Sequence, residues 1–223
     1  MTKPIAVDGP AGAGKSTIAK NVAKKIDYIY VDTGAMYRAI ALYLIRQGVD
    51  TNDEEKVSAA IKDIEVSLDY KDHEQIVLLN GENVNAFIRT PEVSKTTSLI
   101  SKYGDVRTKL LDLQRNMAAK KNVIMDGRDI GTAVLPDAFL KVFLTASSEA
   151  RAMRRYKELT EKGEDVNFDD IKRDVEARDY QDSHREIAPL KQAEDAVLVD
   201  SSDMGIEEVT DAICTLYQER IKA

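Results

Sequence analysis

The chain has 223 residues, of which 43% are hydrophobic and 32% are charged, a balance typical of a large globular domain. Its net charge of −7 disfavours nonspecific binding to nucleic acids and anionic membranes, and no apolar run reaches the roughly 18 residues of a membrane span. A single cysteine, Cys214, and two histidines exclude an internal disulfide and a cysteine zinc cluster, which leaves hard ions such as Mg²⁺ open.

Five short apolar runs rich in β-branched residues predict strands that are buried on both faces. These runs cover residues 5–7, 29–31, 123–125, 140–144 and 196–199. The first helical pattern starts at Lys15, with Ile18, Val22 and Ile26 at four-residue spacing, and the last starts at about Ile206. The sequence therefore predicts an α/β fold in three layers, in which helices cover a five-stranded parallel sheet.

The segment from about residue 62 to residue 97 interrupts this alternation of strands and helices. Two short β-type runs, at residues 66–68 and 76–79, are followed by the turn signal Asn80-Gly81. This pattern predicts a small antiparallel hairpin or sheet inserted into the α/β core. His73 falls at the hairpin tip, and we expect it to be a solvated turn residue.

Residues 147–188 are strongly charged and helical in pattern. Gly163 suits the end of one helix, Asn167 suits the N-cap of the next, and Pro189 prevents the second helix from extending much further. Two helices joined by a polar turn predict a movable helical lid. His184, near the end of the second helix, is expected to be a surface residue.

The most specific motif lies between the first strand and the first helix. The residues Gly9-Pro10-Ala11-Gly12-Ala13-Gly14-Lys15-Ser16 match G-x-x-x-x-G-K-[ST]. In such a loop, backbone N–H groups surround a polyphosphate, the lysine reaches its terminal phosphates, and the serine can coordinate Mg²⁺. Thr17 follows and is grouped with this loop, where it can pack or cap the first helical turn. The motif predicts ATP or GTP binding, although no N-K-x-D motif supports a guanine-nucleotide switch.

Polar residues follow two of the predicted strands. They are residues 32–38 (DTGAMYR) and residues 126–129 (DGRD). Ligands of open α/β sheets bind beyond the carboxyl ends of the strands, so both groups are expected near the phosphate loop. Asp126 is placed to act on the metal, directly or through water, or else to cap a neighbouring helix. Asp8 is expected to brace the phosphate loop.

The arginines form two helical patterns in the second half of the chain. Arg151, Arg154 and Arg155 lie at i, i+3 and i+4 and predict one face with three guanidinium groups. Arg178 and Arg185, with Asp182 between them, repeat this geometry at i, i+4 and i+7. Either group alone could be a solvated ion-pair face. Beside a phosphate loop, however, either group of arginines can supply the positive charge that holds two phosphorylated substrates together.

The combined motifs resemble those of the bacterial cytidylate kinases, a family of nucleoside monophosphate kinases. The resemblance covers nearly the whole chain. Its matching stretches are residues 5–10, 32–38, 88–90 (IRT), 126–132 and 185–190. The inserted hairpin resembles the enlarged monophosphate-binding insert of the bacterial group. This resemblance implies a single kinase domain over residues 1–223.

The resemblance implies which residues bind the acceptor nucleotide. The residues implied to bind its 5′-phosphate are Arg38, Arg128 and Arg185. The cytosine is implied to contact Ser98, Arg107 and Asp129, and the sugar is implied to contact Arg178 and Asp182. Tyr37 is implied as a wall of the monophosphate pocket. Thr33, where some members have serine, is implied as an acceptor contact through its hydroxyl.

The resemblance also implies which residues act on ATP. Arg151, Arg154 and Arg155 correspond to the flap that closes over it, with Arg155 among the ATP-binding residues. Mg²⁺ is expected at Ser16 and Asp126. The residues expected to carry the catalytic charge are Lys15, Arg128, Arg151, Arg154 and Arg185.

The expected reaction is transfer of the γ-phosphoryl group of ATP to CMP or dCMP, which gives ADP and CDP or dCDP. Cytosine presents an N4 amino donor beside N3 and O2 acceptors, so Asp129 can accept from N4 while Ser98 and Arg107 donate.

Two alternatives stay open: a kinase for another small acceptor, and an ATP-binding regulatory module. A cytoplasmic location is expected by default, since the first residues do not form a secretory signal. A monomer is expected by default, since no exposed apolar stripe stands out in the sequence.

Overall fold

The computed structural model describes residues 2–71 and 74–222. The expectation for His73 concerns a residue outside these ranges. The chain divides into two compact units, which we name unit 1 (residues 1–30 and 122–223) and unit 2 (residues 31–121). Unit 1 contains the phosphate loop and the predicted lid, and unit 2 contains the predicted insert.

The strands and helices follow the order expected of an α/β chain with an insertion. The strands are β1 (Ile5–Asp8), β2 (Ile29–Asp32), β3 (Val66–Lys71), β4 (Glu74–Leu79), β5 (Glu82–Asn83), β6 (Val123–Gly127), β7 (Leu140–Thr145) and β8 (Val197–Asp200). The helices are α1 (Lys15–Ile26), α2 (Thr33–Arg46), α3 (Glu54–Ala60), α4 (Pro91–Ile100), α5 (Gly104–Lys120), α6 (Ser148–Glu161), α7 (Phe168–His184) and α8 (Ile206–Lys222). A short π-helix, Ile130–Val134, follows β6.

A five-stranded parallel sheet in the order β2-β6-β1-β7-β8 confirms the predicted α/β fold. The central strand β1 pairs with β6 on one side and with β7 on the other, and Val7 lies opposite Asp126 and Val142. Helices α1 and α8 pack together through Ile18, Val22 and Ile213, which are at most 3% exposed. Strand β1 is buried along its whole length, as its continuous apolar run predicts. The same prediction is wrong for β8, because this strand lies at the edge of the sheet and its Val197 and Leu198 are exposed.

Unit 2 contains the second sheet, in which β3, β4 and β5 are antiparallel neighbours. The predicted hairpin is confirmed as β3 and β4, and β5 adds a short third strand after the Asn80-Gly81 turn. Asn80 and Gly81 both have positive φ, as this turn requires. Buried side chains of α2, including Met36, Ile40 and Leu44, join those of the insert in one apolar core.

The predicted lid consists of α6 and α7, which pack against each other. Asn167 caps α7 by accepting hydrogen bonds from the backbone N–H groups of Asp169 and Asp170, as its sequence position predicts. The expectation that Arg185 continues the helical geometry of α7 is wrong. The helix ends at His184, and Arg185 has extended backbone angles (φ −69°, ψ 144°) ahead of Pro189.

Candidate functional site

The phosphate loop joins β1 to α1 at the carboxyl end of the parallel sheet. Gly12 and Gly14 have φ values of +76° and +87°, which glycine adopts without strain. Gly9 approaches another strand so closely that a Cβ atom there would lie 1.9 Å from the carbonyl oxygen of Leu144. In the described part of the chain no side chain caps α1. Its first N–H groups therefore remain suited to binding an anion.

Lys15 lies within this loop and is only 6% exposed. Its Nζ donates a hydrogen bond to the carbonyl oxygen of Pro10 over 2.7 Å. Burial lowers the pKa of the ammonium group well below its usual range, and the charge of Arg128 lowers it further. A phosphate group would offset both effects, so the position of Lys15 suits a polyphosphate ligand.

Asp126 lies at the end of β6 and connects to the loop through Ser16. The Ser16 hydroxyl donates to Asp126 Oδ2 over 2.7 Å, and the Tyr30 hydroxyl donates to Asp126 Oδ1 over 2.9 Å. Asp126 is 5% exposed and lies next to the phosphate loop. A hydroxyl and a carboxylate at this spacing are the hard oxygen ligands that Mg²⁺ takes together with substrate phosphates, so the site fits this ion.

Asp8 stabilises a different turn from the predicted one. Its carboxylate accepts hydrogen bonds from the backbone N–H groups of Ile130 and Gly131, each over 2.7 Å. Burial raises the pKa of Asp8 to about 6, although these two hydrogen bonds oppose the increase. The contact fixes the start of the π-helix, whose N-cap residue is Asp129. The prediction that Asp8 braces the phosphate loop is therefore wrong.

Two ion pairs join α7 and the segment after it to the residues that follow β6. Arg128 Nε donates to Asp182 Oδ2 over 2.8 Å, and Arg185 Nη2 donates to Asp129 Oδ1 over 3.3 Å. Burial alone would raise the pKa of Asp182, but the charge of Arg128 outweighs burial, with help from Arg178 and Arg185, and lowers it. Four of the predicted acceptor-binding residues are thus in direct contact within unit 1.

The three arginines of α6 have separate partners. Arg151 is 4% exposed, pairs through both Nη atoms with the Asp179 carboxylate, and donates to the carbonyl oxygen of Ala11 in the phosphate loop over 2.9 Å. Arg154 donates to the backbone carbonyl of Ser201. Arg155 pairs instead with exposed Glu158 over 2.8 Å. All three arginines lie within α6 at the predicted i, i+3 and i+4 spacing, and they decrease in burial from Arg151 to Arg155.

Unit 2 brings together another part of the predicted set. Thr33 is buried at the first position of α2, and Asp32 caps this helix by accepting from Ala35 N over 2.8 Å. The Arg38 guanidinium donates to Asp32 Oδ2 over 2.7 Å. The guanidinium of Arg107 lies over the Tyr37 ring at 6.0 Å.

Ser98 and Arg107 are both close to Ser101, at the end of α4. Arg107 Nη1 donates to the carbonyl oxygen of Ser101 over 3.3 Å, and the Ser101 hydroxyl donates to the carbonyl oxygen of Ser98 over 3.0 Å. These contacts gather two of the three predicted cytosine-binding residues within one unit.

Several residues in these contacts escape sequence analysis. Tyr30 donates to Asp126, and Ser201 accepts from Arg154. Asp179 pairs with Arg151 and fixes its position. Gln75, in β4, bonds both backbone polar groups of Asp32. A tyrosine in an otherwise apolar strand could have indicated the first contact. The others join residues that are distant in sequence, so no local pattern predicts them.

The fold and the loop define a phosphate-loop nucleotide-binding protein, since a G-x-x-x-x-G-K-S loop follows the central strand of a parallel sheet. The protein-family model described as cytidylate kinase matches residues 5–219. The chain belongs to the cytidylate kinase family, and it is therefore a nucleoside monophosphate kinase by family.

Relatives named cytidylate kinase match over almost the full chain. The relative from Leuconostoc mesenteroides is 48% identical over 97% of this chain and 97% of its own length. The relative from Caldicellulosiruptor saccharolyticus is 49% identical over 97% and 96% of the two chains, and that from Lactobacillus johnsonii is 48% identical over 98% and 95%.

Solved structures support the fold. A protein described as uncharacterized, from Eubacterium ventriosum, superposes with a TM-score of 0.52 at 13% identity, over 98% of this chain and 99% of that one. A sugar kinase from a Janibacter species superposes with a TM-score of 0.50 at 15% identity, over 98% of this chain and 95% of that one. At such identities the likeness concerns the fold alone. Across the described residues, no helix has both the length and the apolar character that crossing a membrane requires.

Proposed function

We propose that this chain transfers the γ-phosphoryl group of ATP to CMP and dCMP, which yields ADP with CDP or dCDP. The single observation that carries the proposal is family membership over residues 5–219, with relatives named cytidylate kinase at 48% identity. The phosphate loop and the basic groups around it supply the chemistry such a reaction needs.

The proposed donor site uses the phosphate loop, Gly9 to Ser16, with Thr17. Backbone N–H groups and the α1 N-terminus hold the polyphosphate, and Lys15 neutralises its terminal charge. Arg151 and Arg154 keep the lid helix α6 against groups beside the loop, and Arg155 is proposed to reach ATP. Bound Mg²⁺, held by Ser16 and by Asp126 directly or through water, supplies charge neutralisation at the phosphates.

The residues proposed to bind the acceptor are described for each unit separately. In unit 1, Arg128 and Arg185 contact the 5′-phosphate, Arg178 and Asp182 the sugar, and Asp129 the cytosine N4 amino group. In unit 2, Arg38 contacts the phosphate, Thr33 and Tyr37 line its pocket, and Ser98 and Arg107 contact cytosine. We further propose that both units act as one kinase domain, with the insert near residues 62–97 and the lid near residues 147–188, in a cytoplasmic monomer.

The transfer needs no general base. The second pKa of a phosphate monoester is about 6, so the attacking oxygen is mostly ionised at neutral pH. Alignment of the two phosphates and stabilisation of charge by Lys15, Arg128 and Arg185 then lower the barrier. Lid closure excludes water that would otherwise hydrolyse ATP.

A panel of acceptors tests the proposal. Purified protein with ATP and Mg²⁺ is supplied with CMP, dCMP, UMP, AMP or a hydroxyl metabolite such as a sugar, and ADP formation is measured. We expect strong responses to CMP and dCMP and about ten- to hundredfold weaker ones to UMP, because uracil leaves the Asp129 carboxylate without its donor. A regulatory module would give no acceptor-dependent ADP, and a kinase for another acceptor would respond to a different compound.

A further inference from the structure

The stretch Ile88-Arg89-Thr90 has no role in the transfer described above. Ile88 is 1% exposed in the core of unit 2, and Thr90 caps α4 by accepting a hydrogen bond from Val93 N over 3.2 Å. The backbone is thus fixed on both sides of Arg89 by packing and by capping. The Arg89 side chain is 64% exposed, so a rigid turn presents a guanidinium group to solvent.

Arg89 shares its partner with Arg38. Arg89 Nη2 donates to Asp32 Oδ2 over 3.1 Å, and Arg38 Nη2 donates to the same oxygen over 2.7 Å. One carboxylate oxygen therefore holds two guanidinium groups side by side. Two positive groups and one negative group leave an excess positive charge, which suits a further anion.

Asp32 is itself held firmly. It is 6% exposed, and its other carboxylate oxygen accepts from Ala35 N at the start of α2. The side-chain amide of Gln75, in β4, accepts from Asp32 N over 2.9 Å and donates to Asp32 O over 3.1 Å. The inserted sheet holds the Asp32 backbone and the start of α2 holds its carboxylate, which in turn positions the two arginines.

The ion pairs do not satisfy the arginines fully. Arg38 Nε is buried and has no hydrogen-bond partner among the described residues. Buried donors without a partner are rare in native proteins, and a bound ion or water commonly satisfies them. The pairing of Arg89 is solvent-exposed, and pairs of this kind contribute little to stability. The position of the Arg89 guanidinium therefore favours a role in binding over a role in folding.

We propose that Arg89 is a further binding residue for the 5′-phosphate of the acceptor, held beside Arg38 by Asp32, which acts as a positioning residue. The inference rests on the proposed function. A phosphate monoester dianion suits this pair, because planar guanidinium groups donate two parallel hydrogen bonds to phosphate oxygens.

The test compares Arg89→Ala and Arg89→Lys with the control Arg46→Ala. Arg46 is another ion-paired arginine of unit 2, and it binds Glu82 through both Nη atoms. We expect Arg89→Ala to raise the KM for CMP on the order of 10-fold or more, with KM for ATP and kcat at saturating CMP almost unchanged. Arg89→Lys keeps the charge and should recover part of the loss, and Arg46→Ala should match the wild type.

Calorimetric titration with CMP separates the inference from the proposed function. The Kd for CMP should rise with the KM in Arg89→Ala, at an unchanged melting temperature. An unchanged Kd in a folded Arg89→Ala variant would overturn the role of Arg89, whatever the activity. If the wild type forms no ADP with CMP, the proposed function fails, while the same comparison of Kd values still decides whether Arg89 binds the phosphate.

Discussion

The Ser16 hydroxyl donates a hydrogen bond of 2.7 Å to the Asp126 carboxylate, although 110 residues separate the two in sequence. The contact joins the first residues of α1 to the end of β6. It brings together the two oxygen ligands predicted for Mg²⁺ and gives the metal proposal a direct test.

Replacing Asp126 with Asn should weaken the use of Mg²⁺. The amide removes the negative charge but keeps an acceptor for Ser16 or Tyr30. We expect the Mg²⁺ concentration for half-maximal ADP formation to rise about 10- to 100-fold. Ser16→Ala should show a similar defect and Ser16→Thr, which keeps the hydroxyl, a smaller one. An Asp126→Asn enzyme with the Mg²⁺ dependence of the wild type would contradict the assignment.

Gly9 should not tolerate a side chain. A Cβ atom would lie 1.9 Å from Leu144 O, and φ is +152°. We expect Gly9→Ala to cost more than about 3 kcal/mol of unfolding free energy, or to prevent folding. Gly163→Ala is the control, because φ is +79° but no atom lies within 4 Å, so only about 1 to 2 kcal/mol of backbone strain is expected. Urea denaturation compares them, and equal losses would argue against the close approach.

Titration of Asp8 should make the free energy of unfolding depend on pH in the acidic range. Its pKa is about 6 in the folded state against an ordinary value of 3.8, so the folded state retains a proton that the unfolded state has lost between these values. The stability that this proton supplies is complete below pH 3.8 and is lost as pH rises through 6. The unfolding free energy of the wild type, relative to Asp8→Asn, should therefore fall by roughly 3 kcal/mol across this window.

Denaturant titrations at several pH values, from 4 to 8, measure this difference. The Asn variant does not titrate at this position, so it serves as the reference for all other groups. A difference that stays constant over the whole range would mean that Asp8 is ionised throughout.

Asp179→Asn should loosen the lid helices from the phosphate loop. Arg151 would stay buried without a charged partner, at a cost of about 1 to 3 kcal/mol of unfolding free energy. Its bond to Ala11 O should weaken as well, which raises the KM for ATP. Glu158→Gln, which weakens exposed pairs with Arg155 and Lys162, should cost less than about 1 kcal/mol and serves as the control for unfolding free energy. Equal effects of the two substitutions would argue against a specific role for Asp179.

The sequence predicted most of the fold because its signals are local. Strand β1 is apolar on both faces, and α1 repeats its apolar residues at helical spacing, so each can be located without tertiary information. Strand β5 could not be predicted, because Glu82 and Asn83 are exposed and carry no apolar pattern. The π-helix Ile130–Val134 depends on hydrogen bonds to Asp8, which lies over 100 residues earlier.

The candidate site was predictable where a motif defines it and not where tertiary contacts define it. The phosphate loop follows from residues 9–16 alone. The partner of Arg151 could not be predicted from the sequence, because Asp179 lies on another helix. Arg185 leaves the helical pattern, yet its guanidinium contacts Asp129, so the backbone after α7 positions this group and helical spacing does not.

Tracing the transferred phosphate tests the central claim most directly. ATP labelled at its γ-phosphate is incubated with the protein, Mg²⁺ and CMP, and the nucleotides are separated. We expect the label in CDP, in an amount equal to the ADP formed. Label released as inorganic phosphate, or retained in ATP while CMP is present in excess, would contradict phosphoryl transfer to CMP.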